Sequence, residues 1–310
     1  MVAPAFDVVC VGEAMVELAD AGAGRGFGQG GDALNTALHV ARSGWRTGFL
    51  TALGNDPFSQ DLRTGWVAEG LDVSLVLAHP TRAVGLYAIR TDGDGERSFH
   101  YWRDASAARD MFALPGMAAA VALAEAARVL VFSLISLAIL PVEGRRALLD
   151  LAARVRARGG LVAFDGNYRP RLWPSAGEAA SWRDAAIARA DIGFPTLQDE
   201  DDISPTTLEA CASHWQRLGC QEVIVKLGAR GCRLPDGTIL PPPQVVRPVD
   251  TSGAGDAFNA GYLAARLQGL APRDCGLAGH RLAAAVVQQA GAIPQLDRAA
   301  YAPLAPATRA

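Results

Sequence analysis

Short and almost wholly apolar runs recur along this chain, and they alternate with longer segments whose apolar positions repeat at helical spacing. The runs at residues 6–12, 129–133 and 161–165 are typical of strands that are buried on both faces of a parallel sheet. After the second run, strand-like and helix-like segments alternate, which predicts βαβ units. Two further short strands are predicted at residues 191–194 and 223–226. The pattern therefore predicts an α/β protein with a mostly parallel sheet.

Residues 82–103 have a different pattern, in which apolar and polar side chains alternate on both sides of a turn. The turn is predicted at residues 92–95, which are rich in glycine and aspartate, so that the whole segment forms a hairpin. Alternation in its second half places three side chains on one face: Phe99, Tyr101 and Arg103. Together with residues 13–30, the hairpin is expected to form a small sheet outside the main one. This predicts a single domain over residues 1–310, with a discontinuous subdomain from about residues 13–30 and 82–103.

The composition is that of an ordinary globular protein, with 50% hydrophobic and 20% charged residues in a chain of 310. The formal net charge is −3, and no basic run is present. We therefore expect neither nucleic acid nor an anionic membrane surface as a partner. The five cysteines are scattered, odd in number and without metal-ligand spacing, which predicts a reducing compartment and no disulfides.

The most apolar stretch of the chain, residues 117–140, is interrupted by Glu125 and Arg128. This pattern favours an alanine-rich helix followed by a buried strand over a membrane span. The first seven residues lack the basic start and the apolar core of a signal peptide. These observations predict a cytoplasmic protein without a membrane segment.

The candidate chemistry is concentrated in a glycine-rich loop, Asp-Thr-Ser-Gly-Ala-Gly-Asp at residues 250–256, which runs into a helix predicted over residues 257–267 and ended by Gly269. A helix N-terminus attracts anions because its first N–H groups are unpaired. Glycines in addition let a ligand approach the backbone closely. Asp256 places a carboxylate at the start of this helix. It is either an ordinary capping residue or a catalytic group.

A second glycine-led helix is predicted over residues 30–44, where Asp32 and Asn35 share one face at the N-terminal end. Residues 26–31, just before it, match the glycine pattern of dinucleotide-binding loops. The match is weak, because such a loop leads directly from a strand into a helix, and the first predicted strand ends at Gly12. We therefore do not expect a nicotinamide cofactor.

The two glycine-led stretches, in this order, resemble the signatures of the PfkB carbohydrate kinases, the ribokinase-like family. The resemblance implies a ribokinase-like three-layer α/β fold with a mostly parallel central sheet and a small β-sheet lid. It also implies that the amides of Gly253, Ala254 and Gly255 form an anion hole for the transferring phosphoryl group. Asp256 would deprotonate the sugar hydroxyl, which suits a reaction that depends on positioning and charge stabilisation. The residues implied to hold sugar hydroxyls are Gly31, Asp32 and Asn35.

Within that family, four stretches resemble the kinases of a sugar acid, 2-keto-3-deoxygluconate: residues 51–59, 101–103, 165–173 and 279–283. The resemblance covers nearly the whole chain. It implies that Tyr87 and Tyr101 pack on the sugar. Arg103 and Arg169 would hold its carboxylate, a role that suits arginine because a guanidinium group binds carboxylates bidentately.

The resemblance also implies ATP and Mg²⁺ as cofactors, with ATP lying along the turn that follows the strand at residues 223–226. The residues implied to bind ATP are Asn167, Lys226, Gly228, Ala229, Gly231 and His280, the last at a position where many relatives carry Asn. Many relatives also carry an Asn-x-x-Glu that orients magnesium-bound water. The corresponding residues 196–199 end in Asp199, whose carboxylate is one methylene shorter. A monovalent cation near Asp250 is a further implication.

These resemblances predict an ATP-dependent kinase that phosphorylates 2-keto-3-deoxygluconate on its terminal hydroxyl, in sugar-acid catabolism. Two alternatives stay open: a fructokinase or other neutral-sugar kinase of the same family, and a non-catalytic regulator that binds a sugar acid. A neutral-sugar kinase would not depend on Arg103 and Arg169, and the intact Asp256 argues against a regulator. A homo-oligomer also stays open, since the sequence does not set the oligomeric state.

Overall fold

The computed structural model describes residues 5–21, 24–91 and 97–306, and the turn predicted at residues 92–95 lies outside them. In chain order, the described strands are β1 (Val8–Val11), β2 (Met15–Ala21), β3 (Gly24–Gly30), β4 (Thr47–Leu53), β5 (Val76–Ala78), β6 (Gly85–Thr91), β7 (Arg97–Trp102), β8 (Val129–Ser133), β9 (Leu161–Asp165), β10 (Ile192–Phe194), β11 (Glu222–Val223), β12 (Val225–Lys226), β13 (Cys232–Arg233) and β14 (Ile239–Leu240).

The described α-helices are α1 (Asp32–Arg42), α2 (Pro57–Ala68), α3 (Met117–Ala124), α4 (Leu134–Ile139), α5 (Val142–Ala157), α6 (Ala176–Ile187), α7 (Leu197–Ile203), α8 (Leu208–Arg217), α9 (Ala254–Leu267), α10 (Pro272–Val287) and α11 (Arg298–Tyr301). Short 3-10 segments are found at Ala107–Ala113, Pro170–Leu172, Gly228–Arg230 and Ala302–Leu304.

The central sheet has seven strands in the order β11-β10-β9-β8-β1-β4-β5, and every pair in it is parallel. All of β1 is buried, as its apolar run predicts. Successive side chains of a strand point to opposite faces, so Val9 and Val11 enter one core, while Val8 and Cys10 enter the other. Helices α5 and α6 contribute to the first core, and α1 and α9 to the second. The predicted three-layer α/β fold is confirmed.

A second, four-stranded sheet has the order β3-β2-β6-β7. β2 pairs parallel with β6, and the two outer pairs are antiparallel. These strands lie within the two segments for which a small separate sheet was predicted, so that part of the fold is confirmed. The glycine pattern at residues 26–31 lies almost entirely on β3, which agrees with its rejection as a dinucleotide loop. That the sheet is a subdomain covering the substrate stays a prediction.

The strand predicted at residues 223–226 is divided between two sheets. β11 belongs to the central sheet, whereas β12 belongs to a small antiparallel sheet of order β12-β13-β14. Ile224, between them, is buried and donates its N–H to the carbonyl oxygen of Gly193 over 2.8 Å. The single predicted strand is therefore wrong, because an apolar run does not distinguish one buried strand from a buried chain that changes sheets.

α9 begins at Ala254, earlier than predicted, so that Gly255 and Asp256 lie in its first turn. The helix ends just before Gly269, whose φ of 85° provides the predicted C-terminal cap. The stretch at residues 117–140 contains α3 and then β8, as its pattern predicts.

Within the described residues, no single helix has both the length and the apolar character that crossing a membrane requires. The 3-10 segment Ala107–Ala113 and α3 satisfy that requirement only when they are counted together as one span. The chain bends by 86° between them.

Candidate active site

A cleft of about 1110 Å³ lies between the four-stranded sheet and the carboxyl ends of the central strands, the edge at which open α/β sheets bind ligands. Most of the predicted site residues line it: Gly31, Asp32, Asn35, Tyr87, Tyr101, Arg103, Asn167, Arg169, Asp199, Lys226, Gly228, Gly253, Ala254, Gly255 and Asp256. Three others do not line this cleft: Ala229, Gly231 and His280.

The glycine-rich loop forms an anion-binding corner at the start of α9. Gly253 caps the helix with a φ of 71°, and a Cβ there would lie 2.3 Å from the carbonyl oxygen of Ala292. A Cβ on Gly255 would lie 3.6 Å from Nζ of Lys226, so the ammonium group lies beside the first turn. The first amides of the helix, the helix dipole and a cation therefore converge on one place, although the N–H of Ala254 already donates to the carbonyl oxygen of Thr251 over 3.3 Å.

Asp256 lies in the same turn and joins α9 to α1. Its Oδ2 accepts a hydrogen bond of 2.7 Å from Nδ2 of Asn35, and the hydroxyl of Thr36 donates to its backbone oxygen over 3.4 Å. No described residue donates a hydrogen bond to its Oδ1. One carboxylate oxygen is thus fixed in place, and the other is left for a substrate hydroxyl.

The surroundings of Asp256 alter its acidity. Desolvation raises its pKa to about 8, and the carboxylates of Asp32 and Asp165 act in the same direction. The Asn35 amide and the Lys226 ammonium group oppose this rise. A general base is most effective when its pKa is near the working pH, so this carboxylate is suited to accept a proton close to neutral pH.

Asp165, at the end of β9, connects three parts of the site. Its Oδ2 accepts hydrogen bonds from Lys226 Nζ over 2.8 Å and from Asn259 Nδ2 over 2.6 Å. Its Oδ1 accepts one from the backbone N–H of Asn167 over 3.1 Å. Neither Asp165 nor Asn259 was singled out from the sequence. The only signal there was that Asp165 ends a buried strand.

Asn167, which was assigned to ATP, contacts the helix that was assigned to the sugar. Its Nδ2 donates to Oδ2 of Asp32 over 3.0 Å. The two side chains therefore lie at the boundary between the predicted sugar and nucleotide sites.

Three aromatic residues of the four-stranded sheet line the cleft: Tyr87, Phe99 and Tyr101. The last two share one face of β7, as the alternation predicts. Tyr87 and Tyr101 are stacked, with ring centroids 5.8 Å apart. Tyr87 donates its hydroxyl proton to Glu17, a further cleft residue that the sequence analysis left unassigned. Tyr101 is 48% exposed, so a large part of its surface is available to a ligand.

The two arginines assigned to the substrate carboxylate differ in their surroundings. Arg103 is buried and forms an ion pair with Glu13, and it is also one of the residues that line the cleft. Arg169 is half-exposed, and its Nη1 donates to the Tyr168 carbonyl oxygen over 2.6 Å. The same Nη1 forms an ion pair with Oδ2 of Asp199 over 3.7 Å. The role of Arg169 in binding the substrate carboxylate stays a prediction.

Asp199 is the candidate for magnesium. Its Oδ2 accepts the backbone N–H of Tyr168 over 3.3 Å. Desolvation raises its pKa, while Arg169 and Lys226 lower it. The described residues contain no cluster of three metal-ligating side chains. The carboxylate of Asp199 lines the cleft, and a single carboxylate fits Mg²⁺, which in kinases is held by one or two carboxylates together with phosphate oxygens and water.

Asp250 links two loops rather than facing the cleft. Its Oδ1 accepts the N–H of Ser252 and its Oδ2 accepts the N–H of Gly291, both over 2.9 Å. A monovalent cation beside it stays a prediction.

The assignment of His280 to the adenine is corrected. The side chain is 6% exposed and lies under the small antiparallel sheet, where its Nε2 is 3.1 Å from the carbonyl oxygen of Leu240 and 3.5 Å from Sγ of Cys232. It packs against the ring of Phe258 at a centroid distance of 5.0 Å. All of these contacts are with residues of the protein core, so they explain the position of His280 without a ligand.

Gly231 also has a structural reason for its identity. Its φ is 98°, and a Cβ would lie 2.1 Å from the carbonyl oxygen of Leu240. The turn that it closes begins at Gly228, which does line the cleft. Contacts of Ala229 and Gly231 with ATP stay predictions.

A carboxylate and an anion-binding helix N-terminus, placed beside a lysine in a ribokinase-like fold, define the class of the protein as a carbohydrate kinase. The sequence profile of the pfkB family carbohydrate kinases matches residues 5–299, and the chain belongs to this family.

Two relatives are similar over nearly their whole length. The 2-dehydro-3-deoxygluconokinase of Escherichia coli (strain K12) is 40% identical over 92% of this chain and 96% of its own. The enzyme of that name from Dickeya dadantii is 37% identical over 94% and 97%.

Two solved structures have a similar fold. The PfkB protein from Polaromonas sp. JS666 superposes with a TM-score of 0.81 at 28% identity, over 95% of this chain and 98% of that one. The aminoimidazole riboside kinase from Salmonella enterica, solved with aminoimidazole riboside and an ATP analogue, superposes with a TM-score of 0.76 at 27% identity, over 92% and 95%.

We predict that Gly253→Ala lowers the free energy of unfolding and also displaces the loop, which lowers kcat. A non-glycine residue at such a φ costs about 1–3 kcal/mol of unfolding free energy, and the clash with Ala292 adds to it. Displacement of the loop should lower kcat about 10²-fold. Gly269→Ala is the matched control, since Gly269 also has a positive φ but open space around it. Urea unfolding and turnover should separate the two variants, and equal kcat values would contradict this role of Gly253.

Asp165→Asn is predicted to move the acid limb of the pH profile of kcat/KM to lower pH. The variant removes a negative charge that raises the pKa of Asp256 and frees Lys226, which lowers it. Because a base with a lower pKa stays deprotonated in more acidic solution, activity should persist further into acid. Asp191→Asn, a carboxylate at the opposite edge of the sheet, is the control and should leave the limb in place. An unshifted or upward-shifted limb in Asp165→Asn would contradict the coupling.

Proposed function

We propose that this enzyme transfers the γ-phosphoryl group of ATP to the terminal hydroxyl of 2-keto-3-deoxygluconate, also called 2-dehydro-3-deoxygluconate, and forms the 6-phosphate. The observation that carries the proposal is Asp256 at the N-terminus of α9, held by Asn35 in a cleft that also presents arginines. The similarity to two 2-dehydro-3-deoxygluconokinases supports the choice of substrate.

In the proposed reaction, Asp256 is the general base. The substrate hydroxyl lies at its free Oδ1 and attacks the γ-phosphorus, forming a new P–O bond as the bond to the ADP oxygen breaks. The hydroxyl proton passes to Asp256. Negative charge on the transferring group is stabilised by the amides of residues 253–255, with Lys226 beside them.

The sugar is proposed to lie between α1 and the four-stranded sheet. Gly31, Asp32 and Asn35 would bind its hydroxyls, and the rings of Tyr87 and Tyr101 would pack on its carbons. Arg103 and Arg169 would bind the carboxylate, which a neutral sugar lacks. Guanidinium groups in a sugar pocket are useful to a keto acid because they bind carboxylates with two parallel hydrogen bonds.

ATP is proposed to lie along the turn that starts at Gly228, with Lys226 at its phosphates. Asn167, Ala229 and Gly231 would complete that site. When bound, Mg²⁺ would neutralise phosphate charge, with Asp199 holding it through water.

Fructose is the alternative substrate. The observation in its favour is the ion pair between Arg103 and Glu13, which already satisfies part of the guanidinium group. A non-catalytic sugar-acid regulator is the alternative from another class, and Asp256 with its anion-binding corner argues against it. Turnover in a coupled assay, measured across 2-keto-3-deoxygluconate, other sugar acids and fructose, tests all three. The proposal requires the highest kcat/KM for the keto acid, and absence of turnover with every substrate would favour the regulator.

Asp256→Asn is predicted to lower kcat by roughly 10²–10⁴ while KM changes little. The amide keeps the shape and one hydrogen bond but cannot take the hydroxyl proton. Steady-state kinetics at saturating ATP measure this. A variant that keeps more than about a tenth of wild-type kcat would exclude Asp256 as the base.

Arg103→Ala is predicted to lower kcat/KM for the keto acid by roughly 10- to 150-fold, the value of one charge-assisted hydrogen bond. Activity on fructose should change little, because no carboxylate contact is lost. Arg103→Lys should recover part of the loss, since lysine keeps the charge without the planar group. If Arg103→Ala leaves the preference for the keto acid intact, Arg103 does not bind the carboxylate.

A further inference from the structure

A buried carboxylate outside the catalytic loop, Glu13, lies where the four-stranded sheet joins the central sheet. It is 2% exposed, between the end of β1 and the start of β2. A Cβ on Gly85, where β6 begins, would lie 2.9 Å from Glu13 Oε1, and one on Gly31, just after β3, would lie 2.2 Å from the Glu13 carbonyl oxygen. Glu13 therefore packs against the ends of these strands, and its side chain has little freedom to move.

The side chain of Glu13 is fixed by two donors. Arg103, directly after β7, donates from Nε to Glu13 Oε2 over 2.8 Å and also from Nη2 to the same oxygen. Ser106 donates its hydroxyl proton to the other oxygen, Oε1. Nη1 of Arg103 has no acceptor among the described residues.

A guanidinium group has two edges that can bind a carboxylate: the side edge, formed by Nε and Nη2, and the end edge, formed by Nη1 and Nη2. Glu13 occupies the side edge of Arg103. Arg103 also lines the cleft, and a ligand that binds its guanidinium group would have to use the end edge, because Glu13 covers the side edge. The ring of Tyr101, whose centroid is 5.8 Å from Cζ of Arg103, borders the same approach.

We propose that Glu13 is a positioning residue for substrate selection, which holds the side edge of Arg103 and presents only its end edge to the carboxylate of the substrate. This inference rests on the proposed function. It assigns the selectivity for an acid to a pair of residues, one of which does not touch the substrate.

In this proposal, Glu13 acts as the hydrogen-bond acceptor that orients Arg103, through its Oε2. Desolvation raises the pKa of Glu13, and Arg103 and Ser106 lower it. An amide oxygen at the position of Oε2 would still accept both hydrogen bonds from Arg103. The amide nitrogen at the position of Oε1 would donate to the Ser106 hydroxyl, which would then accept instead of donating. Glu13→Gln should therefore preserve the orientation of Arg103, whereas Glu13→Ala should release it.

The test compares the kinetics of wild type, Glu13→Ala, Glu13→Gln, Arg103→Ala and the double variant Glu13→Ala/Arg103→Ala with 2-keto-3-deoxygluconate and with fructose. Glu13→Ala should lower kcat/KM for the keto acid by about tenfold or more, mainly through KM, since one oriented charge-assisted contact is lost. Its kcat/KM for fructose should change little. Glu13→Gln should recover most of the loss, and the double variant should match Arg103→Ala.

Glu69→Gln is the matched control. Glu69 pairs with a similarly buried guanidinium group, that of Arg42, over 2.7 Å, and neither residue lines the cleft. This variant loses the charge of an ion pair elsewhere and should leave the kinetics with both substrates unchanged.

Two results would overturn the proposal. If Glu13→Ala lowers kcat/KM equally for the keto acid and for fructose, Glu13 only stabilises the sheet. If the double variant is much less active on the keto acid than Arg103→Ala, Glu13 does not act through Arg103. Should Glu13→Ala not fold, the second comparison still decides, because the double variant has no unpaired buried charge.

These outcomes differ from a failure of the proposed function. A wild-type enzyme that prefers fructose would contradict the proposed function without any variant. A wild-type enzyme that prefers the keto acid, combined with a Glu13→Ala variant that keeps this preference, would contradict the inference alone.

Discussion

The active site depends on one hydrogen bond, which joins the N-termini of two helices that are distant in the chain. Asn35, in α1, donates to Asp256, in the first turn of α9, over 2.7 Å. Each helix has a glycine immediately before it, Gly31 and Gly253, in a backbone conformation that other residues rarely adopt. The positive ends of both helix dipoles therefore meet at the cleft. The hydrogen bond holds Asp256, the proposed proton acceptor, within one helical turn of the amides that would stabilise the transferring group.

The charged groups around this hydrogen bond are carboxylates and one lysine, and they shift the pKa of Asp256 in opposite directions. Asp32 and Asp165 raise the pKa of Asp256, whereas Lys226 lowers it and is itself held by Asp165. Without the lysine, three neighbouring carboxylates would repel one another and the phosphates of a nucleotide. With it, Asp256 keeps a raised pKa while a cation stays beside the first turn of α9. The same side chains thus set the acidity of Asp256, the proposed base, and the charge of the anion-binding corner.

The sequence predicted those parts of the site that are marked by a pattern of neighbouring residues. The loop ending in Asp256 and the helix start at Asp32 have recognisable glycine patterns, and alternation alone placed Tyr101 and Arg103 on one face of a strand. The partners of these residues could not be predicted, because the contact of Asp256 with Asn35 spans 221 positions and that of Asp165 with Asn259 spans 94.

Burial caused the remaining errors. His280 was assigned to ATP because it stands where many relatives carry Asn. It packs instead in the core, under a small sheet that the sequence did not predict. That sheet was missed because the apolar run around Ile224 continues through the change of sheet. Glu13 was not singled out from the sequence, since alternation with apolar residues does not show that a distant Arg103 covers it.

The most direct test of the account is the identity of the product, followed by ³¹P nuclear magnetic resonance with ATP, Mg²⁺ and 2-keto-3-deoxygluconate. The account predicts a single phosphomonoester whose phosphorus couples to the two protons on C6, formed in step with ADP. Release of inorganic phosphate without a sugar phosphate, or phosphorylation at another hydroxyl, would contradict it.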